Sequence, residues 1–193
     1  MGGTIAKFVK QKEKVIKVVF THGEKSIPHY QESVVKRARR RETKDASDFI
    51  GIKETIYLGL GDTKVKKESN KERIRKKVYE IIKQYKPEKI FIPSALDIHP
   101  DHQAVHDTVL KVLDEKIVNY PIYAYEVWNI MKEDYPIVYE DISEFMRKKM
   151  EYIRSFKSQW MYMFTLYLPA YFRARTYGRK IKVKFAERFY KIR

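Results

Sequence analysis

The stretch that most constrains this chain is residues 96–106, LDIHPDHQAVH, because of what flanks it on either side. Residues 89–93, KIFIP, have the length and composition of a buried strand. After it, Ala104, Val105, Val109, Leu110, Val112 and Leu113 recur at helical spacing. Pro100 suits the first turn of that helix, where a missing N–H costs nothing. The sequence therefore predicts a loop leaving the carboxyl end of a strand and entering a helix, which is where open α/β sheets place their sites. In that loop His99, Asp101 and His102 fall within four residues. Two imidazoles and a carboxylate so close suit a metal such as zinc, which takes nitrogen and oxygen donors. His106, one turn beyond His102, could pair with it on the same helix face.

Elsewhere the pattern alternates strand and helix. Residues 4–12 carry Ile5, Phe8 and Val9 at helical spacing behind Gly2 and Gly3, and VIKVVF (15–20) reads as a strand. A charged helix over 31–50 ends at Gly51, followed by a strand over 54–58 and a turn through Gly59, Gly61 and Asp62. An amphipathic helix is predicted over 71–84 with Ile74, Val78, Ile81 and Ile82 on one stripe. A strand over 121–127 leads to Trp128, and a helix capped by Asp141 or Ser143 runs to Tyr152. Residues 160–172, WMYMFTLYLPAYF, read as a helix packed on the core and interrupted by Pro169. Such alternation implies βαβ units and a mostly parallel sheet in one domain spanning 1–193. His22 and His29 lie in polar surroundings and read as surface residues.

Composition excludes several classes. With no cysteine there is no disulfide, thiolate metal site or cysteine nucleophile, and the cytoplasm is the expected compartment. The formal charge is +16, and from Arg147 onward fourteen Lys and Arg face only Glu151 and Glu187. Such an excess attracts anionic partners such as a membrane surface or nucleic acid. The basic residues fit no recognised nucleic-acid reading module, which speaks against nucleic acid.

Further motifs join the HPDH run: GGTIAKF at the start, VVFTHGE after the first strand, and Arg39 with Glu42 in an R-x-x-E run. LGLGD at 58–62, FKSQW with Ser158 and Gln159, and FAERF at 185–189 follow in order. Together they resemble the PIG-L and LmbE-like family of zinc-dependent N-acetylglucosamine de-N-acetylases over nearly the whole chain. The resemblance implies a Rossmann-like, three-layer α/β fold and a zinc-activated water that attacks an acetamide carbonyl. It makes His102 a zinc ligand. His99 becomes the imidazole that stabilises the oxyanion and protonates the departing amine, oriented by Asp101. Arg39 and Gln159 become substrate contacts. The substrate would be an acetylated amino sugar or a glycolipid; a peripheral contact with an anionic membrane and self-association are both compatible with it.

One departure matters. The family carries a strand and a His-Pro-Asp-Asp type motif just before GGT, supplying two ligands and the carboxylate base, and this sequence starts at Met1-Gly2-Gly3-Thr4. The expectation is thus a deacetylase domain lacking its N-terminal strand, binding zinc weakly or not at all and having little or no deacetylase activity. The competing expectation is a non-catalytic scaffold that holds an anionic partner through the basic C-terminal quarter.

Overall fold

A computed structural model describes residues 1–25, 30–127 and 134–193, and for 160–164 the backbone alone. His29 and Trp128 lie outside the described residues. The chain runs through α1 (Gly2–Lys10), β1 (Ile16–Thr21), α2 (Glu32–Ile50), β2 (Glu54–Leu60), α3 (Val65–Ser69), α4 (Glu72–Tyr85) and β3 (Ile90–Pro93). It continues with α5 (Pro100–Glu115), β4 (Ile122–Tyr125), β5 (Ile137–Asp141), α6 (Met146–Arg154), α7 (Met163–Lys180) and β6 (Ala186–Lys191). Short 3-10 turns precede α6 and α7. The strands form a pair, β1-β2, and a four-stranded sheet ordered β3-β4-β6-β5. This is an α/β, Rossmann-like architecture built from two compact units, Met1–Gly59 with Tyr139–Arg188 and Leu60–Val138 with Phe189–Arg193.

In the first unit, α1 is closed by an unusual cap. Its Gly3 and Thr4 N–H groups donate to the Glu187 carboxylate at 3.2 and 2.8 Å, and the Thr4 hydroxyl adds a bond of 2.7 Å. Glu187 is buried, and Lys149 from α6 meets it at 2.9 Å. Burial alone would push the Glu187 carboxyl up, but the Lys149 ammonium holds it well below the ordinary carboxylate range. Gly3 allows a close approach here, since a Cβ on it would lie 2.6 Å from Ile142 Cδ1. Ile142, Met146, Met150, Ala174 and Phe185 form the adjoining core, and Ala6, Ile50 and Ile52 a second cluster. The predicted C-cap is present: Gly51 has φ 92° and donates to the Ser47 carbonyl at 3.0 Å.

In the second unit, Ile74, Val78 and Ile82 of α4 are buried, as their spacing predicts. The α5 residues Ala104, Val109, Val112 and Leu113 are buried too. Strand β3 pairs in parallel with β4, Ile90 opposite Ile122 and Pro93 opposite Tyr125. On the other side of β4, β6 runs antiparallel, Ala124 opposite Tyr190.

The structure departs from the sequence reading in three places. Strand β6 is not announced by alternation, because Ala186, Glu187, Phe189 and Tyr190 are all buried and one of them is charged. Strand β5, IVYED, has no fully buried residue to signal it. Helix α7 runs past Pro169 to Lys180 instead of breaking there. Ala170, Ala174 and Tyr177 anchor the helix beyond the proline, so packing outweighs the one lost hydrogen bond.

Candidate functional site

The HPDH loop leaves β3 in a well-tied conformation. Ser94 is fully buried, its N–H bonded to the Tyr125 carbonyl at 3.1 Å and its hydroxyl accepting from Leu96 N at 3.0 Å. Asp97, also fully buried, accepts the His99 N–H at 2.9 Å on Oδ1. Gln103 reaches back from α5 to donate to the Asp97 carbonyl at 2.7 Å. His99 and Pro100 then stand at the N-cap and first turn of α5, as predicted.

This framework favours one tautomer for each neutral imidazole. His102 Nδ1 lies 2.9 Å from the same Asp97 Oδ1. A carboxylate only accepts, so the proton sits on Nδ1 and the Nε2 lone pair of neutral His102 is left for a ligand. His99 is arranged the opposite way. Its Nδ1 accepts the backbone N–H of Asp101 at 3.2 Å, so in the neutral ring Nε2 carries the hydrogen. The two rings lie 4.9 Å apart between centroids, tilted by 36°. One turn of chain thus offers a lone pair at His102 beside an N–H donor at His99, a pairing suited to polarising an amide carbonyl.

The side chain of Asp101 serves another purpose. It is buried and accepts the N–H groups of Thr63 at 2.8 Å and Val65 at 3.3 Å, fixing the turn after β2. Thr63 has φ 63°, a region that β-branched residues avoid, so this turn needs such a brace. Asp101 meets His99 through its main chain. Asp97 is the residue that sequence reasoning missed; the available signal was a carboxylate two residues before one histidine and five before the other, the spacing that lets one side chain serve both. His106 is buried and its Nδ1 lies 2.9 Å from the Pro93 carbonyl, so it ties α5 to β3 instead of pairing with His102.

Arg39 and Gln159 lie in the other compact unit. Arg39 is buried on α2, one turn before Glu42. The Glu42 carboxylate accepts both the backbone N–H and the hydroxyl of Ser158, at 2.7 and 2.6 Å, joining α2 to the turn that holds half-buried Gln159. His22 is not a plain surface residue: it is half-buried and stacked on Tyr57 at 5.0 Å. Burial, reinforced by Lys36 and Arg40, lowers its pKa. Among the described residues, no group of three or more His, Asp or Glu gathers to hold a metal.

Comparison with known proteins gives this geometry a family. With a TM-score of 0.77 and 23% identity, the chain resembles N,N'-diacetylchitobiose deacetylase from Pyrococcus horikoshii, covering 98% of this chain and 76% of that one. GalB, the 4-carboxy-2-hydroxymuconate hydratase of Pseudomonas putida KT2440, is similar at TM-score 0.80 and 20% identity, over 100% and 89% of the two chains. A deacetylase of teicoplanin biosynthesis matches at TM-score 0.77 and 14% identity, over 98% and 90%. At these identities the likeness establishes the fold, and it spans a deacetylase and a hydratase alike, so the fold alone does not choose the reaction. The sequence does choose a family: that of GlcNAc-PI de-N-acetylase, PIG-L, matches residues 1–113. The chain belongs to the PIG-L, GlcNAc-PI de-N-acetylase, family.

Proposed function

We propose that the chain serves hydrolysis of the N-acetyl group of an N-acetylglucosamine-containing substrate, with acetate and a free amine as products. The supporting observation is the opposed hydrogen bonding of the His99 and His102 rings, one to the backbone N–H at the start of α5 and the other to the Asp97 carboxylate. Zinc is the metal that the resemblance implies, and a catalytic zinc takes three protein ligands. The described residues bring one prepared imidazole, His102, and no group of three donors, so by themselves they do not fit a catalytic zinc. The reading therefore rests on what the chain's own side chains do. His99 donates its Nε2–H to the acetamide oxygen, a bond that strengthens as water adds to the carbonyl carbon and negative charge develops there; once the ring has taken up on Nδ1 a proton released by that water, the Nε2 proton can pass to the departing nitrogen as the C–N bond breaks. Asp101 positions His99 through its backbone N–H, and Asp97 positions both rings. Arg39 and Gln159 are proposed as substrate contacts, which the Glu42–Ser158 joint holds in register within their own unit. Family membership and this histidine pair favour a hydrolase over a non-catalytic scaffold.

The test is acetate release from N-acetylglucosaminides by the 193-residue chain with zinc added. Slow release is expected, because one prepared imidazole holds zinc weakly. His99→Ala should lower it by about 10²- to 10⁴-fold, the usual contribution of a positioned acid. Release unchanged by that substitution, or none from any such substrate at saturating zinc, would refute the reading.

A further inference from the structure

Helix α7 presents two unlike faces. Ala170, Ala174, Tyr177 and Gly178 are buried and recur at helical spacing. Thr165, Leu168, Phe172, Thr176 and Arg179 form the opposite stripe, all of them exposed, with Tyr171 at its border. The apolar members are unusually open: Leu168 is 48% exposed, Tyr171 41% and Phe172 62%. Tyr171 is held in place by edge-on contacts with Phe172 and Phe185, at 5.8 and 5.4 Å between ring centroids. Further along the same side, Arg179 and Lys180 are exposed, and Lys182 and Lys184 follow in the turn after the helix. From residue 152 to the end the sequence has one acidic residue, Glu187, and that one is buried and paired with Lys149. The cations of this segment are thus not neutralised by acids of its own sequence.

An apolar patch and a cationic patch on one helix face, about 16 Å apart for eleven residues of rise, suit a helix lying flat in a lipid interface. The apolar side chains enter the boundary between headgroups and acyl chains while the cations meet phosphates. Among the described residues, no helix is long and apolar enough to cross a membrane, so the contact is peripheral. Nucleic acid would satisfy the cations but offers nothing to Leu168. We propose that this face of α7 docks on an anionic lipid surface, with Leu168 and Phe172 inserted and Arg179, Lys180, Lys182 and Lys184 paired with lipid phosphates. The proposal uses no residue of the histidine site and stands apart from the reading of the reaction.

The test is co-sedimentation of the 193-residue chain with vesicles of phosphatidylcholine alone and of phosphatidylcholine mixed with phosphatidylglycerol. Binding is expected only to the mixed vesicles, and it should weaken as salt shortens the screening length. Arg179→Gln with Lys180→Gln should reduce it about tenfold or more, the scale expected for two surface cations. Leu168→Ser with Phe172→Ser should reduce it about as much while leaving the protein folded, with only a modest fall in the thermal transition, since both side chains are largely exposed. Equal binding to neutral vesicles would overturn the proposal. So would full retention of binding by the Leu168/Phe172 variant, which would reveal mere adsorption of a cationic chain. Binding to duplex DNA with none to either vesicle would replace the lipid partner with nucleic acid.

Discussion

At the scale of single residues, the site turns on Asp97. Its Oδ1 receives both the His99 N–H and the His102 ring N–H, so one buried atom fixes a backbone and a tautomer. Asp97→Asn keeps the size, but its amide can present a donor to His102 Nδ1 and so favour the wrong tautomer. Zinc affinity, measured by titration, should fall about 10- to 100-fold, as is usual when the partner of a metal-binding histidine is lost. His99→Ala should leave that affinity nearly unchanged, and equal losses in both variants would argue against the division of roles. Lys17 offers a second test. On β1 it donates to the Tyr152 hydroxyl at 3.1 Å, and burial pushes its pKa down to about 8. Burial also pushes the Tyr152 hydroxyl up to about 12. Below pH 8 the folded protein must hold a desolvated ammonium that the unfolded chain leaves in water, whereas between about 8 and 10.5 only the unfolded chain keeps the proton. Stability should therefore rise with pH across that window, by roughly 3 kcal/mol from this group. Above pH 10 ionisation of tyrosine in the unfolded chain, which Tyr152 resists when folded, reverses the trend. Denaturant titrations of Lys17→Met should show a gain over the parent at pH 7 that shrinks toward pH 10.5; parallel profiles would contradict this.

At the scale of elements, the first helix depends on a residue far along the chain. Glu187, at the start of β6, caps α1 through Gly3 and Thr4 while neutralising Lys149 of α6, so three elements meet at one carboxylate. Glu187→Gln keeps an acceptor for the two N–H groups but leaves Lys149 without its counter-charge. It should cost about 3–5 kcal/mol in denaturant unfolding, the usual penalty for breaking a buried pair. Adding Lys149→Met should recover much of that loss if the charge, and not the cap, is responsible. No recovery would point to the cap. The sequence reading saw both ends of this arrangement, GGT and FAERF, as motifs, yet had no way to join them. Local patterns report periodicity, and a contact across 184 positions leaves no periodic trace. Elements with one apolar face, such as α4 and α5, were legible for the opposite reason. Strand β6 buries both faces and a charge, so neither alternation nor hydrophobicity marks it.

For the molecule as a whole, the family and the α/β plan were legible in the order of short motifs, several of which, such as LGLGD at the end of β2 and HPDH at the start of α5, sit at element boundaries where chain direction is decided. The roles of individual letters were less legible. In HPDH, the two histidine rings face one another while the aspartate side chain braces a different turn, and the carboxylate bonded to the His102 ring lies outside the four letters. Spacing cannot distinguish a carboxylate aimed at a reactant from one aimed at main-chain amides. This bears on protein design. HPDH is not a portable cassette: grafted onto another strand–helix junction, it would bring a buried aspartate in search of two converging amides. Unless the recipient also supplied a left-handed turn like that at Thr63, the graft would lose stability before its chemistry could be judged.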